Sequence, residues 1–190
     1  NVISAPRVHK QQTGYFTLLF LGLLGKNKGI YDLLECIRDH KVEFQGKLKL
    51  YIGGNGEIEH VKQLIKEYGI ADITIFEGWV SGDKKIELLN KSDAYILPSY
   101  KEGLPISILE AMSYGCPVVL SNTSCFPEIA QKAGLYFDPT EIDDIHEKMK
   151  IMTGDVALRH YYIEEGYKRI KSFSWEKCAQ QHIEVYKSLL

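Results

Sequence analysis

Short apolar runs alternate with amphipathic helical patterns from residue 17 to residue 137, and glycine or proline punctuates most of the junctions. Thr17 to Leu21 (TLLFL) gives way to Gly22, Gly25 and Gly29, and then to a helical pattern through Ile30, Leu33, Leu34 and Ile37. Lys47 to Ile52 is followed by Gly53-Gly54-Asn55-Gly56 and a helix predicted over Glu57 to Tyr68, with Ile58, Val61, Leu64 and Ile65 on one face. Ile73 to Phe76 precedes a helix from about Asp83 to Lys91. Ala94 to Leu97 is stopped by Pro98, and the helix that begins after Pro105 runs to Tyr114, where Gly115 closes it. Pro117 to Leu120 and Gly134 to Phe137 supply the fifth and sixth runs. Strands this short and apolar on both faces need cover on both sides. The expectation is an α/β fold: a Rossmann-like, doubly wound, parallel six-stranded sheet with helices on both faces.

After Asp138-Pro139 the pattern is helical only, over Glu141 to Thr153, Val156 to Ser172 and Trp175 to Leu190. Residues 15–190 read as one domain with an all-helical part at 141–190, and residues 1–14 as a polar linker or lead-in. A chain of 190 residues can bury roughly 70% of its unfolded surface in a single core. With 23 basic and 25 acidic residues, no basic excess points to a nucleic acid, and any anion must be bound locally. The four cysteines are scattered, which favours a reducing, cytoplasmic compartment. No run approaches the ~20 apolar residues of a membrane span.

Ligands of open α/β sheets bind where strand carboxyl ends meet helix N-termini. Gly22 to Gly29 (GLLGKNKG) offers glycines for close backbone approach and two lysines, Lys26 and Lys28, but neither the GxxxxGK[ST] nor the GxGxxG order. Gly53 to Gly56 serves equally well as a tight turn or as a close-approach loop at Gly54. After the third strand, Trp79 reads as a packing residue, while the Val80 backbone is placed to meet a planar base. The sharpest loop runs from Pro98 to Met112, with Glu102 in a turn and Glu110 about one turn inside the following helix. These carboxylates can flank one ligand, accepting hydrogen bonds from sugar hydroxyls and a ribose diol. Phosphate would be received by the backbone over Gly103, Leu104, Pro105 and Ile106. Taken singly, Glu110 serves as well to complement the helix dipole, and Glu102 as an outside cap. No metal-ligand cluster is legible.

The stretch EGLPISILEAMSYGCPVV, Glu102 to Val119, resembles the EGFGLxxLEAMAxGxPVV signature of the retaining family 4, or group 1, glycosyltransferases. FLGLLGKNKG, YIGGNGEIE, FEGWV and the closing FSWEKCAQQHIEVY are similar to further segments of that family, so the likeness spans nearly the whole chain. The resemblance implies one half of a GT-B fold, the donor-binding C-terminal domain, with an acceptor-binding N-terminal domain as its missing partner. It implies that Lys28 contacts the donor diphosphate, Val80 the base, Glu102 the sugar, Gly103 to Ile106 the sugar and phosphates through the backbone, and Glu110 the ribose. Gly22 and Gly54 belong to the same donor-binding set, and Glu102 is the catalytic candidate.

Two departures stand out. The family's usual arginine partner to the lysine is Leu23 here, which cannot donate to phosphate, and Pro105 replaces a glycine and removes an N–H. The expected activity is transfer of a hexose from a nucleotide-diphosphate sugar, with retention, to a saccharide or lipid-linked acceptor in polysaccharide or glycan synthesis. No metal or other cofactor is expected, and the full-length enzyme would be cytoplasmic, or peripheral at the inner face of a membrane. Two alternatives stay open: another GT-B enzyme such as a sugar-nucleotide epimerase or a phosphorylase, and a degenerate nucleotide-sugar-binding module with a regulatory or scaffold role.

Overall fold

The computed structural model describes residues 14–123 and 125–189. The lead-in expected over residues 1–14 lies outside them except for Gly14, and so does Leu190 at the end of the last predicted helix. The strands are β1 (Phe16–Leu21), β2 (Leu48–Gly53), β3 (Thr74–Gly78), β4 (Ala94–Leu97), β5 (Val118–Ser121) and β6 (Gly134–Phe137). All pair in parallel, in the order β3-β2-β1-β4-β5-β6. This is the doubly wound order that the sequence rhythm predicts.

The central strands show why this order is favoured. In β1, Leu18, Leu19 and Phe20 are all buried, and all four residues of β4 are as well. Consecutive residues point to opposite faces, so such strands lose most of their burial anywhere but the middle of a covered sheet. Each buried Leu, Ile or Phe contributes about 1.5–3 kcal/mol of transfer free energy. The helices α1 (Ile30–Asp39), α3 (Ile58–Glu67), α4 (Gly82–Lys91) and α5 (Ile106–Ser113) supply the cover. Helix α1 turns Ile30, Leu33, Leu34, Cys36 and Ile37 inward.

Two short helices, α2 (Lys41–Phe44) and α6 (Phe126–Ala130), are absent from the sequence reading. Helices of four and five residues are too short to display a 3.6-residue period. Strand β3 runs on to Gly78, past the expected Phe76, because Gly78 pairs with Gly53 across a register shift. The helical part follows as α7 (Ile142–Gly154), α8 (Val156–Ile170) and α9 (Trp175–Ser188). Helix α9 has no buried residue, and Trp175, Val185 and Tyr186 on it are exposed. Among the described residues no helix is long and apolar enough to cross a membrane.

Candidate functional site

The sheet order reverses between β1 and β4. Right-handed crossovers carry α1 to one face and α5 to the other, so the loops leaving β1 and β4 part and leave a crevice at the strands' carboxyl ends. The two walls of that crevice are built differently.

The β1 and β2 loops form a wall of interlocked backbone. Gly54 has φ +150°, and a Cβ there would stand 1.8 Å from the Gly22 carbonyl oxygen. The Gly54 N–H donates to Gly78 O at 2.7 Å and the Gly22 N–H to Gly53 O at 3.0 Å. The Leu24 N–H donates to Asn55 O at 2.6 Å, and Leu24 O accepts from the Glu57 N–H at 2.8 Å. Gly22 and Gly54 therefore permit close approach of one loop to the other, with their own donors already engaged. Gly29, at φ +64°, lies against Pro98, whose carbonyl oxygen would be 2.1 Å from an added Cβ. The Tyr100 N–H donates to Asn27 O at 3.0 Å, so the β1 loop is also fastened to the β4 loop.

On the rim Leu23 is 53% exposed, and Trp79 is 69% exposed. The exposure of Trp79 corrects the packing role expected for it. β3 is the sheet's edge strand, and Trp79 lies in the loop just beyond it with its side chain open to solvent. Val80 is half-buried and packs toward Gly53.

The opposite wall carries side-chain chemistry. Glu102 Oε1 accepts from Lys28 Nζ at 2.6 Å and from the Ser99 hydroxyl at 2.8 Å. Ser99 is buried, and its carbonyl accepts from the Ser121 hydroxyl at 2.6 Å. Glu110 Oε1 accepts from Lys85 Nζ at 2.6 Å. Helix α5 starts at Ile106 with no side chain capping it. Its first N–H groups have no acceptor within the helix, and Pro105 has no N–H to contribute. A Cβ on Gly103 would meet nothing within 4 Å, and Leu104 and Ile106 are exposed beside it.

Tyr95 of β4 is fully buried at the β1–β4 junction, with its hydroxyl donating to Leu21 O at 2.8 Å. Burial pushes the Tyr95 phenol well above its ordinary range, and the Glu102 and Glu110 carboxylates both add to the rise. Both acids thus act on this one buried residue. In this state the site's two lysines are neutralised by its two acids.

The structure pairs Lys28 with Glu102 and sets Glu110 in the fifth position of α5. Three further residues escape sequence reasoning. Lys85 lies 25 positions from its acid, and an exposed helical lysine carries no local signal. Tyr95 reads only as an interior strand residue, and Ser99 as a member of the Pro98 to Met112 loop with no role of its own.

The group 1 glycosyl transferase family model matches residues 3–169. The O-antigen chain mannosyltransferase B of Escherichia coli is 32% identical over 173 residues, covering 90% of this chain and 45% of that protein. Among solved structures, the C-terminal domain of a group 1 family protein from Francisella tularensis superposes with TM-score 0.70 at 22% identity, covering 83% of this chain and 85% of that one. TarM of S. aureus, solved with UDP, superposes with TM-score 0.84 at 18% identity, covering 98% of this chain and 38% of that one. The chain spans less than half the length of the curated relatives it matches first. A six-stranded doubly wound domain with paired acids at its switch point, matched along most of its length by that family model, belongs to the group 1 glycosyltransferases.

Proposed function

We propose that this chain is the donor-binding domain of a retaining glycosyltransferase, and that its crevice holds a nucleotide-diphosphate hexose. The observation that carries this reading is the pair of acid–lysine contacts, Lys28–Glu102 and Lys85–Glu110, on either side of an uncapped helix start. In the proposed complex the diphosphate lies on the first turn of α5, where the helix end supplies about half a positive charge, and Lys28 turns from Glu102 to a phosphate oxygen. Glu102 then accepts from sugar hydroxyls, Glu110 from the ribose diol, and the Val80 backbone meets the base. Gly22 and Gly54 flank the donor as a close surface, since their N–H groups are already engaged.

During transfer the bond between the anomeric carbon and the diphosphate breaks, and its electron pair leaves with the phosphate. A bond to an acceptor hydroxyl forms on the same face of the sugar, and the hydroxyl proton passes to the departing phosphate. Lys28 and the α5 N-terminus balance the charge that develops, so the step needs no metal. Glu102 faces the positive charge of the oxocarbenium-like transition state and is the catalytic residue. The acceptor belongs to an N-terminal domain of the full-length enzyme, a cytoplasmic protein or one peripheral at a membrane. Mannose is the first sugar to test, because several relatives are named as mannosyltransferases. The proposed acceptor is a saccharide or a lipid-linked saccharide, and the O-antigen chain in one relative's name supports the saccharide.

Calorimetry of this chain with UDP-, GDP- and ADP-sugars tests the reading. At least one is expected to bind, and binding by none of them to a folded chain overturns it. The exposed Leu23, where the family has arginine, favours a second reading, a nucleotide-sugar-binding module that does not transfer. Under that reading the full-length protein binds donor but shows no turnover with any acceptor, and Leu23→Arg does not restore it.

A further inference from the structure

Three side chains at the end of α1 remote from Lys28 carry chemistry that sugar transfer does not use. His40 joins α1 to α2, Glu43 lies in α2, and His146 lies in α7. Their nitrogen and oxygen ligand atoms all fall within 4.8 Å of one another. His146 Nε2 is 3.0 Å from Glu43 Oε2. The two imidazoles stack in parallel, with centroids 3.5 Å apart. Two charged groups border the cluster: Asp143 Oδ1 is 3.7 Å from His40 Nε2, and Lys150 Nζ is 3.7 Å from Glu43 Oε1. The side chains are 24%, 40% and 14% exposed for His40, Glu43 and His146, so an ion can reach them.

We propose that His40, Glu43 and His146 bind one divalent transition-metal ion of the zinc type and so tie the α1–α2 corner to α7. Two imidazoles and a carboxylate are a ligand set for zinc, nickel or copper rather than for calcium or magnesium, which take oxygen ligands. With metal–ligand bonds of about 2.0–2.2 Å, neighbouring ligand atoms of a tetrahedron stand about 3.4 Å apart. The Glu43–His146 edge is already near that spacing. The stacked rings are not yet in place, because an imidazole binds a metal in its own plane and two parallel planes cannot share one ion. One ring must turn. His40, at a helix junction and the more exposed of the two rings, is the one that turns in the proposed site, and Asp143 or water fills the fourth position.

The site is separate from the crevice. Helix α1 has 10 residues, about 15 Å of rise, between Gly29 beside Lys28 and His40. The sequence gives no hint of it, because Glu43 and His146 lie 103 positions apart.

The test is calorimetric titration of the EDTA-treated chain with zinc, together with cobalt(II) absorption in the visible. One ion per chain is expected, with zinc raising Tm. His40→Ala and His146→Ala are each expected to weaken uptake at least tenfold, and Glu43→Gln to weaken it as well. Circular dichroism reports the fold of each variant, and His146→Gln, which keeps the side chain's bulk, replaces His146→Ala if the latter unfolds. The other soft pair on the surface, Cys178 and His182 with Sγ and Nδ1 3.7 Å apart on α9, is removed as a control and should leave uptake unchanged. No zinc uptake by the folded chain, uptake indifferent to His40 and His146, or uptake lost only with Cys178 and His182 would each overturn the proposal.

Discussion

The two walls of the crevice use opposite means to present a ligand surface. The wall from the β1 and β2 loops is backbone packed on backbone, with Gly54 forced and the N–H groups of Gly22, Leu24 and Gly54 spent on neighbouring chain. The wall from the β4 loop and α5 keeps an uncapped helix start and carboxylates held by side chains that can let go. One wall fixes shape and the other exchanges partners. The same difference separates the two acids. Glu102 sits on a loop and needs Ser99 and Lys28 to aim it, whereas Glu110 is aimed by the helix that carries it.

The largest effect should come from damaging the packed wall. Gly54→Ala sets a Cβ 1.8 Å from the Gly22 oxygen at φ +150°, and is expected to cost about 3 kcal/mol or more in urea unfolding. A loss below about 1 kcal/mol would show that this wall is as adaptable as the other and would erase the contrast. Next is Glu102→Ala in the full-length enzyme. Turnover is expected to fall by on the order of a hundredfold, while nucleotide affinity stays close to that of the parent.

Glu110→Ala should instead weaken nucleotide binding by about tenfold or more, as expected for loss of a hydrogen bond to a charged acceptor. Equal, negligible effects of these two substitutions would contradict both assignments. Lys85→Ala removes only the helix acid's partner. The pair is partly buried but still solvent-screened, and its loss should change nucleotide affinity by about 1 kcal/mol or less. Ser99→Ala has the smallest expected effect, about 1 kcal/mol of stability or less, with turnover reduced only insofar as Glu102 drifts.

The sheet was legible because β1, β4 and β5 are short, mostly apolar runs bounded by glycine or proline, a pattern that few folds accommodate. Glu102, Glu110 and the start of α5 were legible because they lie within one short stretch of chain. What the sequence hid is what only tertiary structure brings near: Lys85 on Glu110, the Tyr95 hydroxyl on the Leu21 carbonyl, and His146 on Glu43. The two shortest helices hid for a different reason, having too few residues to repeat. Trp79 misled because an aromatic residue after a strand is usually covered, and at an edge strand it is not. Leu23 was legible as a departure, and under the proposed function a leucine on the exposed rim would leave the diphosphate to Lys28 and the α5 N-terminus.

The most direct test of that division of labour is backbone amide NMR of this chain titrated with the nucleoside diphosphate that binds best. The account predicts the largest shifts at the amides of Gly103, Leu104, Ile106 and Ser107, with smaller ones at Gly22 and Gly54. Shifts concentrated on Gly22 and Gly54, with the α5 amides unmoved, would contradict it.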